Sequence, residues 1–524
     1  SEIENIESHI EEIKAFIDIS DDDVLHAKEN YKRSAKLNRE LTLKNNLTLE
    51  EIAKFEVRRH KFPTTFIDER YSRFTPYPEL FSHSVGYVGN LDEDNLIQIL
   101  AEQNLKPKET IFVYSNGYIK GMTGLENIYD KTLRGVYGKK LYEVDASGKL
   151  LNEIEITPSI NGKDLYTSLD IESQKVAFEQ LNKRRGAVVA VDIDTGAIVT
   201  YLSSPSFPLN RIANGMSSKD FNKILNDGNK PFFDRAGQGR YSPASTIKPA
   251  IGLYGIENEI IDWDFTINDP GFFVLPEDNR VYRGWKKGGH GEINLKEAII
   301  ESSNTFFFSL AYESDIEELI DHLSYFGFGR NVCLDCFLPD KGLLPNPEWK
   351  MNTLNFGWFK GDTVNLGVGQ GYLSATPLQL AYYSAFLAKK GELSKFSFVQ
   401  EDIDAPLNTF VSKNINDYDW EKIHESMIGV IDNPKGTAGR LRDLKDFTVA
   451  AKSGTVELVS TETKEDYKII RETEGKRDHA IIIAFGPMPN PKYAVSVVIE
   501  NGESGGSVAG PVAIEILNSL LKNE

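Results

Sequence analysis

Apolar positions along this chain change spacing several times, and each change marks a different kind of element. Over 171–181, IESQKVAFEQL, they recur on one helical face, which predicts an amphipathic helix. Next, RRGAVVAVDIDTGAIVTYLSSPSF carries two β-rich apolar runs joined by the turn residues Asp194, Thr195 and Gly196, a hairpin signal. Near the end, HAIIIAFGPMPNPKYAVSVVIENG gives two more strands around a Pro/Asn turn, and PVAIEILNSLLKN reads as a terminal helix. Between these ends lies a long helical middle, including PLQLAYYSAFLA with Thr376 as its cap and Pro377 in its first turn. This order predicts an α+β fold in which both ends of the domain build one antiparallel sheet packed with helices.

Upstream the text differs. Residues 1 to about 60 are charged and helix-rich, with a helix start at Thr48 and Glu51 placed to reach back to it. From 61 to 160 the chain is aromatic and turn-rich with short strand-like runs such as LYEVDA, read as a separate α+β module. The turn-rich TPSINGKDLYTSLD at 157–170 sets the expected boundary, giving domains 1–160 and 161–524.

With 524 residues, 40% of them hydrophobic, the chain can bury a large core and exceeds one ordinary domain. A net charge of −19 argues against a phosphate-tracking surface, so nucleic acid is not an expected partner. No run of roughly 18 apolar residues occurs, and the charged first residues do not read as a signal peptide. The chain begins at Ser1 rather than methionine, which suggests a soluble truncation whose native N-terminus, with an anchor, lies outside it. The two cysteines, Cys333 and Cys336 in NVCLDCFLPD, have no companion pair or nearby histidine; with LDC extended they point to opposite faces and read as two packed thiols.

The chemistry concentrates in YSPASTIKPA, 241–250. Residues three apart share a helical face, so Ser245 and Lys248 can be a nucleophile and its base if a helix starts near Pro243. A lone S-x-x-K is weak: about two matches are expected by chance in a chain this long, and the second, Ser519 to Lys522, reads as ordinary helix surface. Ser302 and Asn304 precede an apolar helical run in IIESSNTFFFSLAY, and Lys452, Ser453, Gly454 and Thr455 lie on the β-rich TVAAKSGTVEL. Three such motifs in this order form the set used by penicillin-binding proteins and class A β-lactamases, both of which acylate a serine.

On these motifs, and on TSLDIESQ, LGVGQGYLSATPLQLA and VVIENGESGG, the chain resembles the class B penicillin-binding proteins. RHKFP, RFTPYPELFSHSVGYVG and GMTGLENIYDKTLRG resemble the pedestal of the elongation-type members. The resemblance implies a penicillin-binding/β-lactamase-like transpeptidase domain on an elongated N-terminal pedestal. It implies an inner-membrane protein with its catalytic domain in the periplasm, acting on peptidoglycan stem peptides ending in D-Ala-D-Ala and acylated by β-lactams. Its partners would be a membrane glycan polymerase and elongation-complex scaffold proteins.

Residue by residue, the resemblance makes Ser245 the nucleophile and Lys248 a base that must be neutral, its pKa lowered by burial and by Lys452 as a neighbouring cation. Lys452 itself would stay protonated against the substrate carboxylate, with Ser453 and Thr455 hydroxyls beside it. Backbone N–H groups of Ser245 and Thr455 would form the oxyanion hole. Ser302 would relay a proton, Asn304 would hold the donor peptide, and Gly454 would let substrate backbone approach the strand. Gln370 lies on a glycine-rich loop bordering the cleft.

Some elongation-type members hold zinc beside this site. The matching positions here are Asp269, Gly284, His290 and Ser303; neither glycine nor serine replaces a zinc ligand well, so no metal and no cofactor are expected, and His290 reads as a structural loop residue. The same motifs also serve β-lactamases, D,D-carboxypeptidases and β-lactam-sensing receptors, but no deacylating base is evident and the large pedestal favours a transferase.

Overall fold

The structure, a computed structural model, describes the chain except residues 1–5, 22, 26, 29–30, 32–40, 69–71, 91–118, 137, 145–149, 217, 400–407, 411, 413, 459–472 and 523–524. It divides into two compact units, Ser1–Leu165 with Phe207–Lys230, and Tyr166–Ser206 with Pro231–Glu524.

In the first unit, α1 (Ile6–Lys14) and α2 (Leu49–Glu56) bury Ile10, Ile13 and Phe55 with Phe62. The capping box forms as its residues predict: Glu51 N donates to Thr48 Oγ1 at 3.2 Å and Thr48 N to Glu51 Oε2 at 3.0 Å. Two antiparallel pairs follow, β1 (Val88–Asn90) with β2 (Ile119–Gly121) and β3 (Lys139–Val144) with β4 (Leu150–Thr157). Of the strand-like LYEVDA, Asp145 and Ala146 lie outside the described residues. Residues 207–230 belong here although the sequence places them beyond the hairpin. Ser82 Oγ donates to the Phe207 carbonyl at 2.8 Å, and Asn210 exchanges two hydrogen bonds with the Thr75 backbone. A single linear boundary carries no signal for such an excursion, because its contacts join residues far apart in sequence.

The second unit begins with α3 (Ile171–Leu181), capped by Asp170, then the hairpin β5 (Gly186–Asp192) and β6 (Ile198–Ser204). At the turn, Asp192 Oδ1 accepts from the N–H groups of Asp194 and Thr195. After α4 (Lys248–Glu257) come β7 (Thr266–Asp269) and β8 (Gly291–Asn294), which pair with each other, then α5 (Leu295–Ile300) and α6 (Asn304–Glu313). Next are α7 (Pro377–Ala388) and α8 (Asp417–Asp432), then β9 (Ala450–Val456), β10 (His479–Gly486), β11 (Tyr493–Ile499) and α9 (Gly510–Lys522).

The central sheet runs β9-β10-β11-β5-β6, antiparallel throughout, so both ends of the domain do meet in one sheet. Helix α7 covers one face, where Ser384 Oγ reaches the Ala484 carbonyl and Ser496 Oγ the Pro377 carbonyl. Helices α3 and α9 cover the other, with Ser173 and Thr200 hydroxyls paired at 2.7 Å. Strand β10 is buried along nearly its whole length, which explains why AIIIAF is a continuous apolar run rather than an alternating one.

The cysteines are not packed thiols. Cys333 and Cys336 form a disulfide, their Cα atoms 5.7 Å apart. The intervening residues turn instead of extending: Leu334 N donates to the Phe396 carbonyl, while buried Asp335 accepts from the N–H groups of Phe398 and Val399. The loop is thus bonded to a segment some sixty residues downstream, a constraint absent from the local pattern.

Candidate active site

Ser245 sits on a tight 3₁₀ turn, Ala244–Ile247, that starts at Pro243 and runs directly into α4. The expected helix start is therefore correct in place but tighter in form. Two glycines clamp this turn. Ala244 lies at φ +48°, its N–H donating to the Gly369 carbonyl at 3.0 Å, and Ser242 Oγ donates to the same carbonyl. Gly369 is itself left-handed at φ +70°, and a Cβ there would stand 2.2 Å from the Ala244 carbonyl oxygen. From the other side β9 presents Gly454, whose Cβ would lie 3.1 Å from both the Pro243 oxygen and Thr246 Cγ2. The missing side chain of Gly454 therefore also lets the strand close on the serine turn.

Behind the serine lies a buried polar chain. Lys248 Nζ donates to Asn304 Oδ1 at 2.7 Å, to the Ser302 carbonyl at 2.9 Å and to Ser302 Oγ at 3.2 Å. Lys452 Nζ donates to the same Ser302 Oγ at 3.0 Å and to the Ser453 carbonyl at 3.1 Å. Both lysines are fully buried, and Lys248 also lies over the Phe307 ring. Ser302 is held at φ +57°, an uncommon conformation for serine, at the junction of α5 and α6, with Trp285 Nε1 donating to its carbonyl. Asn304 opens α6, and Ser303 caps that helix by accepting from Phe306 N. Among the described residues, Ser245 Oγ is not a hydrogen-bond partner of Lys248; the shared face leads the base to Ser302 and Asn304 instead.

Burial pushes Lys248 well below an ordinary lysine, and the neighbouring Lys452 pushes it further, as a base requires. Burial also brings Lys452 down to about 7. The protonated Lys452 that the resemblance implies is tied to a substrate carboxylate beside it, and burial alone leaves the free side chain with a lowered value. Along β9, Ser453 is buried and its hydroxyl pairs with Thr437 Oγ1 at 2.8 Å, while Thr455 is exposed. Thr437 in PKGTAG carries no spacing signal and is found only through its contact with Ser453, whereas Trp285 closes the YRGW stretch that holds Gly284 and its contact with Ser302 was not predicted.

The four family zinc positions also come together. Asp269 Oδ2 accepts from Ser303 Oγ at 2.7 Å and lies 2.6 Å from His290 Nδ1, while Oδ1 accepts from Gly271 N at 2.7 Å. Burial is the largest single influence and works against the Asp269 charge, but the hydrogen bonds to this carboxyl, those from Ser303 and His290 foremost and the Gly271 N–H among the rest, together outweigh it and hold it below its usual range. His290 Nε2 is buried without a hydrogen-bond partner, 4.0 Å from Glu301 Oε2. As a zinc site this does not fit: Gly284 supplies no donor, and the neutral Ser303 hydroxyl is spent on Asp269.

Comparison with known proteins gives concordant matches. The family model of the penicillin-binding protein transpeptidase domain matches residues 186–518, and that of the penicillin-binding protein dimerisation domain matches residues 1–167. Peptidoglycan D,D-transpeptidase MrdA of Acinetobacter baumannii is 36% identical over 520 residues, covering 97% of this chain and 75% of that protein. MrdA of Escherichia coli K12 is 31% identical over 526 residues, covering 99% and 82%. Among solved structures, Pseudomonas aeruginosa PBP2 in complex with WCK 5153 superposes with a TM-score of 0.73 at 34% identity, covering 86% of this chain and 91% of that one. The complex of PBP2 and MreC from Helicobacter pylori gives 0.80 at 29% identity, covering 100% and 93%.

Proposed function

Since the chain belongs to the penicillin-binding protein transpeptidase family, we propose that it is an elongation-type peptidoglycan D,D-transpeptidase that works through an acyl-enzyme on Ser245. The observation that carries this reading is the buried Lys248–Ser302–Lys452 chain beside the clamped serine. Ser245 Oγ attacks the carbonyl of the penultimate D-Ala while neutral Lys248 takes its proton. N–H groups of Ser245 and Thr455 receive the oxyanion, and the terminal carboxylate lies against Lys452, Ser453 and Thr455. As the C–N bond breaks, the proton passes from Lys248 through Ser302 to the departing amine, releasing D-Ala. An acceptor amine then attacks the ester, loses its proton to Lys248 and returns Ser245 to the hydroxyl form, leaving a cross-linked peptide. Asn304 holds both the base and the donor peptide.

The test is product analysis with a pentapeptide donor and an amine acceptor. A cross-linked product is expected; water as the sole acceptor would make the protein a carboxypeptidase. The same reading places the catalytic domain in the periplasm, anchored to the inner membrane, though among the described residues no helix is long and apolar enough to cross a membrane. It also gives the protein a glycan polymerase and an elongation scaffold as partners, in line with the MreC complex of the Helicobacter relative.

No zinc enters this mechanism. The Ser303–Asp269 hydrogen bond itself ties the start of α6 to the end of β7, with His290 beside it. Protein purified without added metal is expected to carry no stoichiometric zinc by elemental analysis, and one zinc per chain would overturn this assignment.

A further inference from the structure

One residue beyond the glycine that supports the serine turn, the chain borders a cavity of about 250 Å³. This is smaller than the roughly 300–1,000 Å³ of pockets that take whole small ligands, and suits a single side chain. Its walls include Arg280, Trp358, Asp362, Asn365, Gln370 and Tyr372. The charges decide what it can hold. Asp362 is already paired with Lys350, 2.5 Å away, and that lysine is buried against the rings of Phe359, Tyr372 and Trp358. Arg280 is exposed; the Tyr282 hydroxyl is the foremost group acting on it, ahead of Asp278 in its own turn and Asp362, and among the described residues it forms no ion pair with either carboxylate. One cationic fork is therefore left over at the mouth. Among the described residues the side-chain amides of Asn365 and Gln370 make no hydrogen bonds, so each has a donor and an acceptor to offer a peptide group.

The geometry points to a substrate subsite: we propose that this cavity receives a carboxylate-bearing side chain of a stem peptide, with Arg280 taking the carboxylate, Tyr372 and Trp358 flanking the aliphatic stem, and Asn365 and Gln370 meeting the peptide backbone. A planar guanidinium matches a carboxylate in two parallel hydrogen bonds, a fit that a carboxamide lacks. Asp362 is not open to a second cation, which argues against an amine-bearing side chain at this place. The inference rests on the transpeptidase reading and adds a specificity element to the same cleft.

The test uses two synthetic pentapeptides ending in D-Ala-D-Ala, identical except that a side chain upstream of the terminal pair ends in a carboxylate or in its carboxamide. Each competes with a fluorescent penicillin for acylation of the protein, and the ratio of half-inhibiting concentrations is read within each variant, so that a merely less active protein still reports it. For the unsubstituted protein the acid is expected to compete about tenfold better, the scale of one charge-assisted contact. Arg280→Gln should bring the ratio close to one, and Arg280→Lys should keep part of it. Equal competition by both peptides, or a preference that survives Arg280→Gln, would overturn the subsite while leaving the transpeptidase reading in place. Failure of penicillin to acylate the unsubstituted protein would overturn both.

Discussion

Ser302 lies between two lysines from which burial removes charge, and this arrangement has a pH signature. A lysine with a lowered pKa is neutral above that value and protonated below it. Acylation needs neutral Lys248, so its rate constant should rise with pH through the depressed Lys248 transition. Holding a penicillin carboxylate needs protonated Lys452, so the rate constant should fall again as pH passes about 7. The two apparent values belong to the coupled pair. Lys452→Met removes both the falling limb and the neighbouring charge that lowers Lys248. Its profile should therefore lose the fall and shift its rise to higher pH, with the maximal rate about a hundredfold lower. Stopped-flow acylation across pH 5 to 10 checks this, and an unchanged profile in Lys452→Met would detach Lys452 from the mechanism. At this scale the sequence was informative about which residues come together, because S-x-x-K, S-x-N and K-S-G are local. It was uninformative about how they are wired: that Lys248 bonds Ser302 and Asn304, and that Thr437 pairs with Ser453, follow from chain segments far apart.

Among the elements, the serine turn is defined by what presses on it. The loop carrying Gly369 and strand β9 at Gly454 approach from two sides, with clearances of 2.2 Å and 3.1 Å for an added Cβ. Those distances rank two substitutions. Gly369→Ala adds a left-handed strain of about 1–2 kcal/mol to an overlap with the Ala244 carbonyl, and a turn displaced by about 1 Å should acylate about a hundredfold more slowly. Gly454→Ala demands a shift of only a few tenths of an ångström, so its loss should be much smaller. Acylation rates and melting temperatures of the two variants decide the matter; equal losses would mean that the clamp does not position the serine. Elements with local causes were legible in advance: the capping box at Thr48, the cap at Thr376, the hairpin around Asp194 and Gly196, and the terminal helix. The 3₁₀ form of the serine turn and the Cys333–Cys336 bridge were not, since each depends on backbone partners, Gly369 and Phe396, that no nearby spacing reveals.

In the molecule as a whole, the catalytic unit closes one sheet from strands at both of its ends, and the three motifs converge because the sheet edge, the turn before α4 and the junction of α5 and α6 come to one place. The order of apolar runs made that sheet predictable, whereas the passage of residues 207–230 into the other unit was not. The central claim is that this convergence produces one nucleophilic serine with a buried lysine base. Intact-mass analysis after incubation with a penicillin, followed for hours, tests it most directly. A single adduct on the unsubstituted protein is predicted, persisting for hours, absent in Ser245→Ala and slowed at least a hundredfold in Lys248→Ala. An adduct that survives Ser245→Ala, or one lost within minutes with turnover of the drug, would contradict it.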